Sequence, residues 1–245
     1  MKKKSPAKVN LFFRVLKKRS DGYHEIYTLM CKVPHLADLV SVELSERDFL
    51  SCSNPQIPTD KTNLASKALN LFRQETGLSF SANIHLEKEI PVEAGLGGGS
   101  SNAATVLTLL NSLHNNPLTK QDLMTLGAKL GSDVPFFFAQ QAAVVSGMGE
   151  KVEEIILPDL GQIKIFKPSY GLSTKEIYSH TTPQASPDPE QLLQSFLCGT
   201  PLFHNDLESA AYKLRPELFS FRKNLEKQYN STSMTGSGTA HFTLM

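Results

Sequence analysis

Residues 95–102 read Gly-Leu-Gly-Gly-Gly-Ser-Ser-Asn, and Ala103-Ala104-Thr105-Val106-Leu107 follow at once. Four glycines among five residues remove the Cβ atoms that keep a ligand away from the backbone. Ala103, Val106, Leu107, Leu110 and Leu113 carry the spacing of one buried helical stripe. A bare-backbone loop that feeds a helix N-terminus aims unpaired N–H groups and the helix dipole at an anion. Phosphate is the ligand this pattern suits, and a tight structural turn is the alternative.

Two common phosphate motifs do not fit. A Walker loop ends in Gly-Lys-Ser/Thr so that the lysine reaches the terminal phosphates, and here Ser100 and Ser101 follow the glycines with no lysine. A dinucleotide fingerprint places a third glycine where this chain has Ser100.

Composition narrows the class. Among 245 residues, 40% are apolar and 20% charged, as in ordinary soluble globular proteins. A net charge of +1 gives no electrostatic case for nucleic acid or an anionic membrane. Lys2, Lys3 and Lys4 are followed by Arg14, Lys17 and Lys18, so no secretory signal or membrane span is expected. Cys31, Cys52 and Cys198 are odd in number and lack a CxxC pair, which fits reduced thiols in a cytoplasm.

Strand and helix patterns alternate along the chain. Ala7, Val9, Leu11, Phe13 and Val15 predict a strand over 6–16, with Lys8 and Asn10 together on its other face. Further strands are expected near 38–44, 81–90, 141–146, 162–167 and 240–244. Helices are expected over 63–75, after the glycine loop, near 120–130 from a Thr119/Asp122 start, and near 189–197, 206–213 and 216–228. Lys88 falls in the apolar register of the 81–90 strand, where a cation is unexpected. The first half is β-rich and the second helix-weighted, so residues 1–150 and 151–245 are expected to be two domains of an α+β protein.

The stretch Pro91-Val92-Glu93-Ala94-Gly95-Leu96-Gly97-Gly98-Gly99-Ser100-Ser101-Asn102-Ala103-Ala104 resembles the phosphate loop of the GHMP kinases, which phosphorylate small alcohols. Pro6-Ala7-Lys8-Val9-Asn10-Leu11-Phe12 and Arg19-Ser20-Asp21-Gly22-Tyr23-His24-Glu25 resemble the branch whose acceptor is a cytidyl diphosphate-linked polyol of the non-mevalonate isoprenoid route. Gly131-Ser132-Asp133-Val134-Pro135-Phe136-Phe137 and Met234-Thr235-Gly236-Ser237-Gly238 complete the motifs in that family's order. The resemblance implies a two-domain fold: an N-terminal ribosomal-protein-S5-like β/α domain that binds ATP and a C-terminal ferredoxin-like α/β domain on the substrate side. The site is expected in the cleft between them. The family pattern continues beyond Met245 through a further helix and strand, so the second domain is expected to be incomplete, with a sheet edge or apolar face uncovered.

The same resemblance implies the site residues. Lys8 and Asp133 are the catalytic pair, Asp133 as base and Lys8 as the charge near it; on residues alone they are a surface lysine and a helix cap. Tyr23 and His24 read the cytosine, Tyr178 is a second stacking aromatic, and Asn10 and Thr174 contact the polyol or phosphates. A core tyrosine is the alternative for each aromatic. Asn63, Leu64 and Lys88 line the adenine side, with Pro91, Gly95, Leu96, Gly97, Gly98, Gly99, Ser100, Ser101 and Asn102 around the phosphates. Mg²⁺ accompanies ATP; Ser100 or Ser101 can donate to a phosphate or ligate the ion, and a helix cap is the other use of these hydroxyls. No nucleic-acid or membrane partner is expected, and the chain is expected to be a monomer or weak homodimer. A homoserine- or mevalonate-type kinase, or a nucleotide-binding relative without catalysis, are the alternatives.

Overall fold

The computed structural model describes residues 1–229 and 231–245. In chain order the strands are β1 (Lys2–Lys18), β2 (His24–Ser45), β3 (Phe49–Cys52), β4 (Ser81–Glu87), β5 (Ala142–Gly147), β6 (Lys151–Ile155), β7 (Ile163–Phe166), β8 (His204–Asn205), β9 (Ser233–Met234) and β10 (His241–Leu244). The helices are α1 (Leu64–Thr76), α2 (Gly98–Leu113), α3 (Lys120–Leu130), α4 (Thr174–Ser179), α5 (Pro189–Leu197), α6 (Glu208–Leu214) and α7 (Pro216–Glu226), with a 3₁₀ turn at Pro135–Phe138.

The chain forms two compact units that interleave along it. One comprises Met1–Ala7, Val33–Ile90 and Gly97–Gln140; the other comprises Lys8–Lys32, Pro91–Leu96 and Gln141–Met245. A cut at 150/151, as the change in element content predicts, falls inside the second unit. The reason is local: β1 and β2 are 17 and 22 residues long, and each passes from one unit into the other.

In the first unit, β4 pairs antiparallel with the C-terminal part of β2, Val40 opposite Leu86 and Val42 opposite Ile84. β3 adds in parallel to β4. Helix α1 buries Ala65, Ala68, Leu69 and Phe72 and packs against α2. Helix α2 is buried over most of its surface, from Ser101 to Leu107 and from Leu109 to Asn111, rather than along one stripe. A helix covered all round is a central one, and its polar residues must then find partners inside. Helix α3 begins with the expected capping box: the Thr119 hydroxyl accepts from Asp122 N, and the Asp122 carboxylate accepts from Thr119 N at 2.9 Å.

In the second unit, the N-terminal half of β2 pairs antiparallel with β5, from Ile26 opposite Gly147 to Cys31 opposite Ala142, and β6 follows on β5. Residues 28–31 are buried on both faces of the strand. They therefore lack the alternation that marks a half-buried strand, and β2 begins well before the predicted 38. β8 lies parallel to β1, Phe13 opposite Asn205. It is tied there by Asp206, whose carboxylate accepts from Arg14 Nε at 2.8 Å, Val15 N at 2.7 Å and His204 Nε2 at 2.6 Å. Burial alone raises such a carboxyl, but these donors outweigh it and hold Asp206 below its usual range. A separate sheet has the order β7-β10-β9, all antiparallel, so β10 is its centre rather than its edge. Helices α4 and α6 pack through Ile177, Ala210 and Ala211 around Phe13, Val15 and Met234.

Candidate active site

Functional side chains of the first unit gather under the start of α2. Gly97 is its N-cap, in the left-handed region at φ 69°, and no side chain caps the helix. The first-turn N–H groups are thus left to a ligand. Beneath them lies a buried polar network. Lys88 ion-pairs with Asp38, the two side chains 5% and 0% exposed. Lys88 Nζ also donates to Asn102 Oδ1 at 2.9 Å, and Asn102 Nδ2 donates to Asp38 Oδ2 at 2.9 Å and Ser5 Oγ at 3.0 Å. Ser5 Oγ in turn donates to Ser101 Oγ at 2.8 Å. Asp38 Oδ1 accepts from Glu89 N and Ile90 N, each at 2.8 Å.

This network separates the two serines. Ser101 is buried and engaged, whereas the half-buried Ser100 hydroxyl makes no hydrogen bond among the described residues. Lys88 is not in a strand, since β4 stops at Glu87, yet its charge is held in place. A Cβ on Gly98 would stand 3.3 Å from Lys88 Nζ, so the ammonium sits directly under the loop backbone. Asn63 caps α1, accepting from Ala65 N at 2.9 Å, and Leu64 reaches to 3.7 Å of where a Gly99 Cβ would be. Asp133, half-buried, lies between the end of α3 and the 3₁₀ turn. That turn begins at Val134, whose own side chain offers no cap.

The second unit holds the other candidates. Lys8 is 3% exposed on β1, and its Nζ donates to Asn10 Oδ1 at 2.6 Å. The surface-lysine alternative therefore fails. Asn10 Nδ2 donates to Thr28 Oγ1 at 2.9 Å, and Asn10 N donates to Thr235 Oγ1 at 3.0 Å. The turn after Met234 packs onto the glycine loop through bare backbone: a Cβ on Gly238 would overlap Ala94 and Gly95, and one on Gly95 would overlap Thr235. Lys8 N donates to Leu96 O at 3.0 Å, fixing strand and loop together while the Leu96 side chain is buried. Pro91 is exposed at the head of this segment.

Apart from Lys8, an aromatic group forms on the same unit. Tyr23 is 63% exposed, and His24 lies 5.2 Å from the Tyr178 ring at a 32° tilt. His24 Nε2 is buried without a hydrogen-bond partner. Burial and then the nearby Lys18 charge hold its imidazole below the usual pKa, so it is neutral near pH 7. Thr174, at the start of α4, is hydrogen-bonded to Ser237 at 2.7 Å, next to Gly236. Among the described residues no group of three or more His, Cys, Asp or Glu could hold a metal, and no helix is long and apolar enough to cross a membrane.

Several partners here were not singled out on sequence: Asp38, Ser5 and Thr28. Asp38 had a signal. It shares the even register of Val40 and Val42 on β2, Lys88 continues the even register of Ile84 and Leu86 one residue past β4, and the ladder brings those two registers together. A charge in each buried phase, on strands that pair, marks an ion pair.

Comparison with known proteins gives the class first. Residues 63–141 match the model described as the GHMP kinases N terminal domain. The homoserine kinase of Cytophaga hutchinsonii, 20% identical, superposes with a TM-score of 0.78 over 99% of this chain and 84% of its own, which shows the GHMP kinase fold. A crystal structure of a 4-(cytidine 5'-diphospho)-2C-methyl-D-erythritol kinase, 36% identical, superposes with a TM-score of 0.83 over 100% of this chain and 90% of that one. The 4-diphosphocytidyl-2-C-methyl-D-erythritol kinase of Protochlamydia amoebophila is 41% identical over 97% of this chain and 82% of its own length. The chain belongs to the 4-diphosphocytidyl-2-C-methyl-D-erythritol kinase family, whose members are small-molecule phosphotransferases.

Proposed function

We propose that the chain transfers the γ-phosphoryl group of ATP to the 2-hydroxyl of 4-diphosphocytidyl-2-C-methyl-D-erythritol, a step of the non-mevalonate isoprenoid route. The observation that carries the substrate choice is the pair His24–Tyr178 beside exposed Tyr23. Aromatic faces stack on a base, and a buried ring nitrogen without a partner suits a hydrogen bond to the base edge. Homoserine and mevalonate carry no base for such a group to read.

Phosphoryl transfer asks the protein mainly for positioning and charge stabilisation. The uncapped first turn of α2 and the bare backbone of the loop bind the phosphates through N–H groups. The hydroxyl oxygen of the acceptor bonds to the γ-phosphorus while the bond to the β,γ-bridging oxygen breaks. The hydroxyl proton passes to the Asp133 carboxylate, and ADP leaves. Lys8, oriented by Asn10, neutralises charge on the moving group. Asn10 and Thr174 hold the polyol or its phosphates, and Asn63 and Leu64 line the adenine.

A hard cation arriving with the triphosphate fits this donor set, which offers a free hydroxyl at Ser100 and, among the described residues, no carboxylate cage. Ser100 would hold Mg²⁺, and the ion would neutralise the phosphate oxygens. A coupled ADP-release assay tests the function. Turnover with the cytidyl substrate and none with mevalonate or homoserine is expected; preference for either of those acceptors refutes the proposal.

A further inference from the structure

Asn205 uses every hydrogen-bonding atom of its buried carboxamide. Nδ2 donates to Met234 O at 2.9 Å and Gly236 O at 3.0 Å, and Oδ1 accepts from Leu207 N at 2.9 Å. The two carbonyls flank Thr235, where the chain leaves β9 and turns. Met234 closes the edge strand β9 and Gly236 lies in the turn beyond it, and a primary amide with two N–H bonds satisfies both carbonyls at once.

What this clamp holds is the turn against Lys8. Gly236 sits at φ 53°, and a Cβ built on it would stand 3.1 Å from Lys8 Nζ and 3.1 Å from Asn10 Oδ1. Thr235 Oγ1, one residue earlier, accepts from Asn10 N at 3.0 Å. The ammonium is thus bounded by the Gly236 backbone on one side and the Asn10 carboxamide on another. Asn205 itself stands on a fixed platform: β8 is paired to β1, and Asp206 N donates to Phe13 O at 2.9 Å beside the buried Arg14–Asp206 pair.

We propose that Asn205 is a positioning residue for Lys8: by fixing the Met234 and Gly236 carbonyls it sets the wall that holds the ammonium in its working place. The inference rests on the reading of Lys8 as the group that neutralises the moving phosphoryl. A group displaced by about 1 Å loses up to roughly 10²-fold in rate, so the effect belongs in kcat and not in substrate binding.

The test compares Asn205→Ala and Asn205→Asp with the parent chain, alone and combined with Lys8→Ala. Asn205→Asp keeps the size and the acceptor for Leu207 but removes both donors and sets a negative charge against two carbonyls. Expected in each single variant is a loss of about 10- to 100-fold in kcat, with KM for ATP and for the cytidyl substrate within about threefold. Combined with Lys8→Ala, the further loss from Asn205→Ala should shrink to under about twofold, because residues acting through one group are not additive. Folding is checked by far-UV circular dichroism. If Asn205→Ala does not fold, Asn205→Ser, which keeps one donor, carries the same comparison. Normal kcat in a folded Asn205 variant, or an undiminished further loss in the Lys8→Ala background, overturns the inference alone. Near-normal turnover of Lys8→Ala itself overturns the reading of Lys8 first, and the inference with it.

Discussion

Asp38, within β2, and Lys88, one residue past the end of β4, form a buried ion pair, and the lysine ammonium lies directly beneath Gly98 of the glycine-rich loop. Removing one partner of such a pair strands the other charge, at about 3–5 kcal/mol. Asp38→Ala should lower stability by roughly that much, read as the urea midpoint followed by far-UV circular dichroism. Asp38→Asn combined with Lys88→Met should recover a large part of it, since the isolated charge is the main penalty. A double variant as unstable as Asp38→Ala would mean that packing, not charge, sets the cost.

Asp133→Ala should cut turnover by about 10²–10⁴-fold, the usual contribution of a general base. ATP affinity, measured by isothermal titration calorimetry, should persist. Near-normal turnover would remove Asp133 as the proton acceptor.

Tyr23→Ala should raise KM for the cytidyl substrate, because stacking of a base on an aromatic ring is worth about 1–3 kcal/mol. The exposed ring has little to lose in stability. A change confined to KM for ATP contradicts the base-stacking role.

The two serines should separate cleanly. Ser100→Ala should increase the Mg²⁺ concentration needed for half-maximal rate while leaving the thermal midpoint unchanged. Ser101→Ala breaks the bond to Ser5 and should cost about 1 kcal/mol of stability. If the Mg²⁺ requirement moves with Ser101 instead, the assignment of the metal ligand is reversed.

His241 supplies a pH dependence. Burial pushes its imidazole down to about 4; the Thr239 carbonyl opposes that shift, and the Arg222 charge adds to it. Between about 4 and the unfolded value near 6.5 the unfolded chain binds the extra proton. The contribution is therefore complete above about pH 6.5 and is lost as pH falls toward 4, by about 3 kcal/mol in all. Urea midpoints at pH 7 and pH 5 should differ for this reason, and His241→Asn should shrink the difference. An unchanged difference in that variant assigns the acid sensitivity to other groups.

Legibility on the sequence followed the range of the interaction. Helix α3 is announced by Thr119 and Asp122, which satisfy each other's backbone within one turn. The β1 alternation placed Lys8 and Asn10 on one face, and they are hydrogen-bonded there. The early part of β2 was not legible, because a strand covered on both faces loses its period. Nor did α4 or the two-residue strands β8 and β9 show, being too short for any period. Asn205 carried no signal, since its partners are 29 and 31 residues away and are backbone carbonyls, which every residue has.

Taken by itself, the sequence determined the glycine-rich loop, the helix it feeds and the motif set that marks the family, because glycine conformational freedom, helical spacing and capping all act between near neighbours. Only the tertiary structure decided that Ser101 is tied down while Ser100 stays open, that Lys88 is held by Asp38, and that Asn205 bonds the Met234 and Gly236 carbonyls beside Lys8. Those outcomes depend on which groups the folded chain buries together. A buried charge or carbonyl must be satisfied by whatever the fold brings within about 3 Å, however distant it is along the chain.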